Sequence, residues 1–566
     1  MPTPLPLPSP SLVRRCLAGG DFAADCIALA ESILAHRIPI LGRTIQAGPS
    51  IEWRRDYLNG AVTGVEWFKR IPFLDFSAAG DHKVVWELNR HQHLVVLAQA
   101  FVLTNERRFL AEIEDELESW AVQNPFVRSI NWASALELAF RSLSWLWVLH
   151  LAGPDLSESI RNRLGSWLIQ HATVVEHNLS TYFAPNTHIL GEGVALHAIG
   201  LAVRSERWRL GGLRIVDREV ARQVQSDGFH FEQSSYYHLY ALDMLLFHYL
   251  LAGRPDGYAQ TLKRMARCLS TLLDSSGTFP LIGDDDGGRF FYPYGERRGF
   301  ARASLATCAA LFPAEEFQAR SQDLAQQAIW WFGEAAIPDH EGDDQCEHFS
   351  SCGLTVFRRA GAHLTFDCGP FSTGSAGHSH ADTLALTLRR QGRDVLIDPG
   401  TYTYVADPAE RNWFRGTASH STISIDERDQ ADPVKPFRWE HKPTVRRLET
   451  ELWKAAGECS FRGATHRRWV DFTDPKRIIV WDEVAGSANR IDQNWHCAEA
   501  ITTESDGVFR TGSAYIEIDP QVKPEIVAAH RSQVFGSREP SWILRCRRES
   551  LPVGRLRTTI HLDRPA

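Results

Sequence analysis

The chain has 566 residues, of which 44% are hydrophobic and 23% charged, and its formal net charge is −8. This length exceeds what one hydrophobic core supports, so we expect two or three domains. The acidic balance gives no reason to expect a nucleic-acid partner, although a local basic cleft could still bind an acidic polymer. No stretch approaches the roughly 18 apolar residues of a membrane helix, so no membrane span is expected.

The first predicted region is helical and extends from about residue 20 to 335. Apolar residues recur three and four positions apart, which is the period of a helix with one buried face. So many helical hairpins must close into a ring or stack as a solenoid, and the absence of a fixed repeat favours the ring. The predicted helical segments are 87–104, 106–123, 132–152, 157–179, 188–203, 212–225, 238–252, 258–276 and 302–312.

The pattern changes after about residue 345. Residues there alternate with period two between turns rich in Gly, Asp, Asn and Pro, which predicts an antiparallel β-sandwich of some ten or more strands. We therefore expect an α+β multidomain fold, an N-terminal α/α toroid (1–335) followed by a C-terminal antiparallel β-sandwich (346–566), with 329–345 as the linker. The predicted strand segments are 350–360, 362–369, 383–400, 420–427, 441–451, 453–460, 466–474, 476–486, 514–520 and 555–563.

Ten cysteines are spread from Cys16 to Cys546 without CxxC spacing. Neither a zinc knuckle nor a redox motif is indicated, and free thiols are expected. The first residues, MPTPLPLPSPSLVRRC, are rich in proline and lack the apolar stretch of a secretory signal, so no signal peptide is expected.

The stretch GHSHADTLALTLRRQGRDVLIDPG places His378 and His380 two residues apart at the mouth of an alternating segment. In a strand such residues point to the same face, so the two imidazoles are expected side by side. His380 combines with Asp398 and His420 into a candidate metal site of two imidazoles and a carboxylate with an open position. The alternative is a set of hydrogen-bonded core histidines.

Two polar stretches open helices in the first region. Asn186 and His188 lie in APNTHILGEG, where an Asn is most often a helix cap. In DGFHFEQSSYYHLYALD, Tyr237 and Tyr240 share a helix face by spacing, as do Tyr236 and Tyr240. Packing of the aromatic rings in the core is the alternative for these tyrosines.

Taken together, several motifs resemble the heparinase II/III-like polysaccharide lyases. They are WELNRHQHL, NW followed by LELAFRSLSW, NTHILGEG, the tyrosine block, HSHAD with DPGTYTY, and RGTASHSTISID, in family order across most of the chain. The resemblance implies an α/α toroid followed by a β-sandwich. It also implies cleavage of uronic-acid polysaccharides by β-elimination, with heparan sulfate, hyaluronan or chondroitin sulfate as the expected substrates and alginate or a bacterial exopolysaccharide as the alternative.

The resemblance also implies four catalytic residues. Asn186 corresponds to the family Asn that faces the uronate carboxylate, and His188 resembles the histidine beside it, although Thr187 separates the two here. Tyr237 corresponds to the catalytic tyrosine, with Tyr236 as the alternative register. His378 resembles the catalytic histidine contributed by the sandwich.

Ligands and partners follow from the same resemblance. His380, Asp398 and His420 resemble a metal site that holds zinc in some members, with manganese or calcium as alternatives. The expected partner is an acidic polysaccharide. The resemblance implies that the protein acts in the periplasm or outside the cell. No signal peptide is visible in the sequence, so the compartment stays open. Predicted substrate-binding residues are Arg90, Glu232, Tyr236, Tyr240, Arg411 and Arg415.

The implied chemistry removes the C5 proton of a uronate and expels the O4 oxygen. Donors such as Asn186, a protonated histidine or an arginine must neutralise the carboxylate, because the enolate-like intermediate is otherwise too costly. A phenol can take the C5 proton and then protonate O4 if nearby cations ionise it partly.

Two other classes of function stay open at this point. A glycoside hydrolase would need two carboxylates on either side of the bond, about 5–9.5 Å apart. The candidates are Glu192, Glu232 and Asp284 to Asp286, although the last three are expected to form a turn with helix capping. A non-catalytic glycan-binding protein is the second alternative, and it would not need Asn186, Tyr237 and His378 together.

Overall fold

The structure is a computed structural model that describes residues 2–182, 185–342, 344–486, 488–549 and 555–565. The chain forms two compact units that do not follow sequence order. The helical unit comprises Met1–Val224, Tyr240–Lys263 and Gly287–Asp339, and the sandwich unit comprises Gln225–Leu239, Arg264–Asp286 and His340–Ala566. The domain bounds 1–335 and 346–566 with the linker 329–345 stay a prediction.

Helices dominate the first three fifths of the chain, and one short helix lies among the later strands. None of the helices in the described residues combines the length and apolar character that a membrane span requires. Their bounds are α1 (Pro10–Leu17), α2 (Asp21–Leu34), α3 (Phe76–Ala79), α4 (His82–Asn89), α5 (Gln92–Thr104), α6 (Arg108–Gln123), α7 (Ala135–Ala152), α8 (Glu158–His177), α9 (Thr187–Ala202), α10 (Glu206–Gln223), α11 (Ser235–Leu251), α12 (Asp256–Leu272), α13 (Arg298–Leu311), α14 (Ala328–Phe332) and α15 (Pro408–Phe414).

Two kinds of helix alternate in the helical unit. Helices α5, α7 and α9 are buried almost throughout, and α7 packs against both of the others. Helices α6, α8 and α10 follow them in turn, and each packs against the helix before it with one buried face, as α6 does through Phe109, Ile113 and Leu117. A helix that is apolar all round must be covered on every side, so the alternation produces an inner and an outer layer of helices.

Two local features of the helical unit differ from the sequence prediction. The unbroken helix predicted over 87–104 is wrong, because His91 adopts a left-handed conformation (φ 58°) that separates α4 from α5. A hairpin of β1 (Arg37–Ile40) and β2 (Arg43–Gln46) interrupts the region predicted to be helical. Its two turn residues, Leu41 and Gly42, both have positive φ, which matches the twist of a tight hairpin.

Antiparallel strands dominate the rest of the chain. Their bounds are β3 (Gln345–His348), β4 (Leu354–Arg359), β5 (Ala362–Asp367), β6 (Leu386–Arg390), β7 (Arg393–Leu396), β8 (Ile423–Ile425), β9 (Asp432–Lys435), β10 (Arg438–Glu440), β11 (Thr444–Glu451), β12 (Lys454–Phe461), β13 (Ala464–Asp471), β14 (Arg477–Gly486), β15 (Arg490–Cys497), β16 (Ile501–Ser505), β17 (Val508–Thr511), β18 (Ala514–Glu517), β19 (Lys523–Arg531), β20 (Glu539–Glu549) and β21 (Leu556–His561).

Strands β9 and β10 pair only with each other, and the rest of these strands form two large sheets within the described residues. One has the order β11-β12-β13-β14-β21-β18-β17-β16, and the other has the order β19-β20-β15-β7-β6-β5-β4-β3 with β8 paired to β15. Side chains from both sheets, such as Leu364 and Trp495 from one and Val480 and Ile560 from the other, share a single buried core. Two antiparallel sheets packed through one core constitute a β-sandwich.

Candidate functional site

A buried carboxylate, Asp284, organises the polar residues of the sandwich unit. Its Oδ2 accepts a hydrogen bond from His378 Nδ1 at 3.0 Å, and its Oδ1 accepts one from His380 Nε2 at 3.0 Å. Arg411 donates to Oδ2 at 2.8 Å. Burial alone would raise the pKa of Asp284, but Arg411 and the two imidazoles hold it well below its usual range. We call these four residues the Asp284 cluster; its centre is a stable anion.

Backbone contacts fix this carboxylate beside the histidines. Asp284 N donates to the carbonyl of His378 at 2.9 Å, and Ser234, at the start of α11, donates from Oγ to the carbonyl of Asp284 at 2.7 Å. Gly283 has φ 66°, and a Cβ there would lie 2.7 Å from the His378 carbonyl oxygen. Only glycine permits this approach, so Gly283 is required where the two segments meet.

His378 and His380 lie in a loop, and the prediction that they share one face of a strand is wrong. Strand β6 begins only at Leu386. The two imidazoles nevertheless meet at one group, because each donates to a different oxygen of Asp284. Sequence reasoning treated Asp284 as part of a turn, yet it is the residue that orients both histidines.

Tyr237 packs against this cluster from the start of α11. Its ring stacks on the His378 imidazole with centroids 3.9 Å apart, and its hydroxyl lies 3.3 Å from Asp286 Oδ2 and 3.2 Å from Tyr404 Oη. Burial raises the pKa of Tyr237 well above its usual value, and Asp286 and Tyr404 raise it further. Burial and these neighbours therefore favour the neutral phenol over the partly ionised one.

A group of nitrogen and oxygen ligands lies next to the Asp284 cluster. One ligand atom each from His380, Asp382, Asp398 and His420 falls within 4.8 Å of every other. We call these four residues the sandwich metal group. The structure thus brings together the three predicted ligands, and it adds Asp382, which sequence reasoning missed although it belongs to the HSHAD motif.

The hydrogen bonds of the two imidazoles suit a bound cation. His380 donates from Nε2 to Asp284, and His420 donates from Nδ1 to the carbonyl of Gly416 at 2.7 Å. The remaining nitrogens, His380 Nδ1 and His420 Nε2, lie 3.3 Å apart. When both rings are neutral, these two nitrogens carry the lone pairs that an ion can bind. Outer hydrogen bonds that fix the ring in this way are the usual surroundings of metal-binding histidines.

A fully buried ion pair in the sandwich core supports the ligand-bearing loops. Arg468 donates from Nε and Nη2 to Asp482 at 2.8 and 3.0 Å. Its Nη1 donates to the carbonyls of Leu384 and Ser421 at 2.7 and 2.6 Å. These carbonyls lie two residues after Asp382 and one residue after His420, so the guanidinium ties both ligand segments to strand β13.

The residues predicted to bind substrate in the sandwich unit have mixed surroundings. Arg411 and Arg415 both donate to the carbonyl of Pro436, and Arg415 lies over the Trp439 ring at 4.5 Å. Glu232 Oε1 is 3.6 Å from His378 Nε2. Protein groups already hold both guanidinium groups. Direct contact of Arg411, Arg415 and Glu232 with substrate stays a prediction. Tyr236 is buried, and its ring stacks on Phe279.

A second buried carboxylate, Glu137, occupies the helical unit in the first turn of α7. Arg90 donates to its two oxygens at 2.7 and 2.8 Å and to Tyr240 Oη at 3.0 Å, and Glu87 Oε2 lies 3.1 Å from Arg90. We call these four residues the Glu137 cluster. Burial alone would raise the pKa of Glu137. Arg90 and other nearby positive charges together lower this pKa by more than burial raises it, so it lies below its usual value. The hydrogen bond from Arg90 therefore orients the Tyr240 hydroxyl.

Asn186 caps α9, as its position at a helix start indicates. Its Oδ1 accepts from the backbone N–H of His188 at 3.1 Å, so any donor role of Asn186 rests on its NH₂ group. The positive field of His188 contributes to the lowered pKa of Glu137. One turn further along, Glu192 is buried and accepts from Ser180 N and Oγ, and burial raises its pKa to about 8.

Asp382 and Tyr404 were not predicted from the sequence, and Asp284 and Asp286 were predicted only as parts of a turn or, alternatively, as carboxylates of a hydrolase. The signal for Asp382 and Tyr404 was available, because both lie in motifs already selected, HSHAD and DPGTYTY. The run Asp284 to Asp286 carried no such signal. An acidic turn and a buried anion have the same sequence, and only the three-dimensional structure separates them.

Comparison with known proteins identifies the family. The family model described as Heparinase II/III N-terminus matches residues 27–289, and the one described as Heparinase II/III-like, C-terminal, matches residues 342–565. The chain belongs to the heparinase II/III-like family. This confirms the family resemblance inferred from the motifs, across both regions of the chain.

Relatives with established names are similar over part of their length. The heparin-sulfate lyase of Pedobacter heparinus is 26% identical over 454 residues, which cover 76% of this chain and 64% of that protein. The heparin-sulfate lyase of Bacteroides stercoris is 22% identical over 449 residues, with 72% and 63% covered. The chain therefore spans less than two thirds of the length of these relatives.

Solved structures share the fold. The crystal structure of heparinase III matches with a TM-score of 0.72 at 17% identity, covering 95% of this chain and 84% of that one. The Streptomyces coelicolor chondroitin AC lyase in complex with chondroitin sulphate matches with a TM-score of 0.55 at 12% identity, with 97% and 82% covered. Together with the helices and antiparallel sheets described above, these matches confirm the predicted class, an α/α toroid followed by a β-sandwich.

Proposed function

We propose that this chain is a polysaccharide lyase that cleaves uronic-acid-containing polysaccharides by β-elimination, with glycosaminoglycans as the substrate class. The observation that carries the proposal is the stacked pair of Tyr237 and His378, held by Asp284 and Asp286. Family membership supports it, as do the names of the relatives, which are heparin-sulfate lyases.

In this proposal Tyr237 transfers protons at C5 and O4. Its buried hydroxyl is a neutral phenol in the resting protein, which is the form that can protonate the leaving O4 oxygen. To act as the base it must first lose that proton. Asp286, whose Oδ2 accepts from the phenol, and His378, stacked on the ring, are the groups placed to assist.

The same proposal assigns the carboxylate-neutralising role to Asn186 and His188. An amide NH₂ supplies donors without a competing charge, and removal of one such donor typically costs about 10²–10³ in rate. Arg90, Tyr240, Glu232, Arg411 and Arg415 then act by holding the reacting groups in position. This positioning role is supported by the contacts of Arg90 with Glu137 and Tyr240, of Glu232 with His378, and of Arg415 with the Pro436 carbonyl.

We further propose that the sandwich metal group holds zinc. Two imidazole nitrogens and two carboxylates are ligands that zinc accepts, with manganese as the alternative. A bound zinc would supply a fixed positive charge and would keep His380, and through Asp284 also His378, in one orientation. No step of the elimination needs the metal itself.

The hydrolase alternative receives less support from the carboxylates. Asp284 has both oxygens engaged by His378, His380 and Arg411, and Glu192 is buried and bonded to Ser180. A hydrolase needs one carboxylate that can reach the glycosidic oxygen and another that can activate water.

The deciding experiment follows the ultraviolet absorbance of the C4–C5 double bond. The substrates are heparan sulfate, heparin, chondroitin sulfate, hyaluronan and alginate. Wild type is compared with Tyr237→Phe and with Tyr236→Phe, the matched control one residue away. We expect a rise on at least one glycosaminoglycan that falls by about 10²–10⁴-fold in Tyr237→Phe and persists in Tyr236→Phe.

The other outcomes are equally informative. A rise that survives in Tyr237→Phe overturns the assignment of this residue, and loss only in Tyr236→Phe moves the acid/base role by one position. New reducing ends without any absorbance would establish a hydrolase. Binding of a polymer with neither signal would establish a glycan-binding protein.

A further inference from the structure

A second group of nitrogen and oxygen ligands lies in the helical unit. Helix α6 presents Glu112 and Glu116, which are one turn apart and therefore lie on the same face. His36 Nε2 is 2.8 Å from Glu112 Oε1, and His93 Nε2 is 2.7 Å from Glu116 Oε2. One ligand atom each from His36, Glu112 and Glu116 falls within 4.8 Å of the other two.

An unpartnered carboxylate oxygen belongs to this group. Glu116 is 4% exposed, and its Oε1 is buried without a hydrogen-bond partner among the described residues. A buried polar atom of this kind costs about 1–3 kcal/mol unless something satisfies it. One oxygen of Glu112 lies within 4.8 Å of one oxygen of Glu116, so two carboxylates are crowded together with one oxygen unsatisfied.

The orientation of His36 is that of a metal ligand. Its Nδ1 donates to the carbonyl of Gly48 at 2.5 Å, which leaves Nε2, 2.8 Å from Glu112 Oε1, as the nitrogen that can bind an ion once it has lost its proton. A ring nitrogen fixed by a backbone carbonyl is the common outer hydrogen bond of metal-binding histidines. The side chains of His36 and Glu112 are 16% and 20% exposed, so an ion can reach the buried oxygen of Glu116 from solvent.

We propose that His36, Glu112 and Glu116 form a second metal site, which binds a divalent cation of the zinc or manganese class. One imidazole and two carboxylates suit these ions better than the all-oxygen shell of calcium or the thiolates of softer metals. His93 donates to the outer oxygen of Glu116 and directs its other oxygen to the ion. The ion ties the segment that enters strand β1 to helix α6, and this proposal is independent of the proposed lyase activity.

The test counts metal ions bound to the full chain. The protein is stripped with a chelator and dialysed against Zn²⁺ or against Mn²⁺, and metal per chain is measured by mass spectrometry. The background variant is His420→Gln, which removes a ligand of the sandwich metal group. We expect His420→Gln to keep one equivalent, His420→Gln with Glu116→Gln to keep none, and His420→Gln with Asp115→Asn to keep one. Asp115 is the matched control, because it is an exposed carboxylate on the same helix.

A second variant guards against a folding defect. His36 is partly exposed, so His36→Gln is expected to fold, and zinc should raise the thermal midpoint of His420→Gln but not that of His420→Gln with His36→Gln. In otherwise wild-type protein, Glu116→Gln should lower the metal content by one equivalent. The proposal is overturned if His420→Gln holds no metal, or if Glu116→Gln and His36→Gln leave the metal content and the zinc-dependent midpoint unchanged.

Discussion

Glu137 in the helical unit and Asp284 in the sandwich unit are both buried carboxylates held by nitrogen donors, and the two arrangements differ in which groups surround the anion. Glu137 in the helical unit accepts both of its bonds from one guanidinium, that of Arg90. Asp284 in the sandwich unit accepts from the guanidinium of Arg411 and from two imidazoles, those of His378 and His380.

The difference lies in whether the partners can change their proton count. A guanidinium stays charged at every pH that a protein tolerates, so the Glu137 cluster has a fixed charge and serves as a rigid support. An imidazole can gain or lose a proton or bind a metal near neutral pH. The Asp284 cluster is therefore the one that can take part in proton transfer and metal binding, while its carboxylate keeps both rings oriented.

The largest expected effect comes from Asp284→Asn, which keeps the shape of the side chain and removes its charge. The amide presents only one acceptor, so His378 and His380 cannot both keep their bonds. We expect lyase activity to fall by about 10²–10³-fold and zinc affinity of the sandwich metal group to fall by about 10–100-fold. Initial rates and a zinc titration measure the two effects. Unchanged zinc affinity in a folded variant would contradict the link between the two histidines.

The corresponding change in the helical unit, Glu137→Gln, should affect stability instead. It leaves the buried Arg90 with Glu87 as its remaining carboxylate. Breaking a buried ion pair from one side typically costs about 3–5 kcal/mol, and we expect the lower end of that range. The midpoint of chemical unfolding measures this loss, and zinc affinity should match that of wild type. A loss of zinc affinity in Glu137→Gln equal to that in Asp284→Asn would erase the distinction between the clusters.

A smaller effect concerns the pH dependence of the helical unit. Burial raises the pKa of Glu192 from 4.5 to about 8, so the folded protein retains a proton that the unfolded chain releases. Its contribution to stability is full below the unfolded pKa and is lost as the pH rises through the folded value. As the pH rises from about 5 to about 8, we expect the thermal midpoint to fall less steeply in Glu192→Gln than in wild type.

Glu158→Gln is the control for this prediction, because Glu158 is exposed at the start of α8. This variant should keep the wild-type slope. Parallel slopes in all three proteins would show that Glu192 ionises normally in the folded state.

The period of the apolar residues predicted most of the fold. It located α6, α7 and α9 to within a few residues, because each has a long, regular pattern. Strand β15 was missed since its sequence, RIDQNWHC, has buried polar residues that break the alternation. Gln493 and His496 are tolerated there because Asp482 and Ser541 satisfy them. Such long-range hydrogen bonds leave no local sequence signal.

The candidate site was predictable only where residues fall within named motifs. Tyr237, His378 and His380 could be selected in this way, and the structure places them together. Asp284 could not, because 94 residues separate it from His378. Sequence gives no measure of that distance, and a run of three aspartates most often marks a turn.

The division of the chain into units has a consequence for synthesis on the ribosome. The segments 225–239 and 264–286, which carry Tyr237 and Asp284, belong to the sandwich unit although they are made before it. The hydroxyls of Tyr237 and Tyr404, which lie 3.2 Å apart, are separated by 167 residues of chain. These two segments must wait, without their native partners, until the strands have emerged. Contacts of such long range are formed slowly, so assembly of the reacting groups is expected to be among the last events of folding.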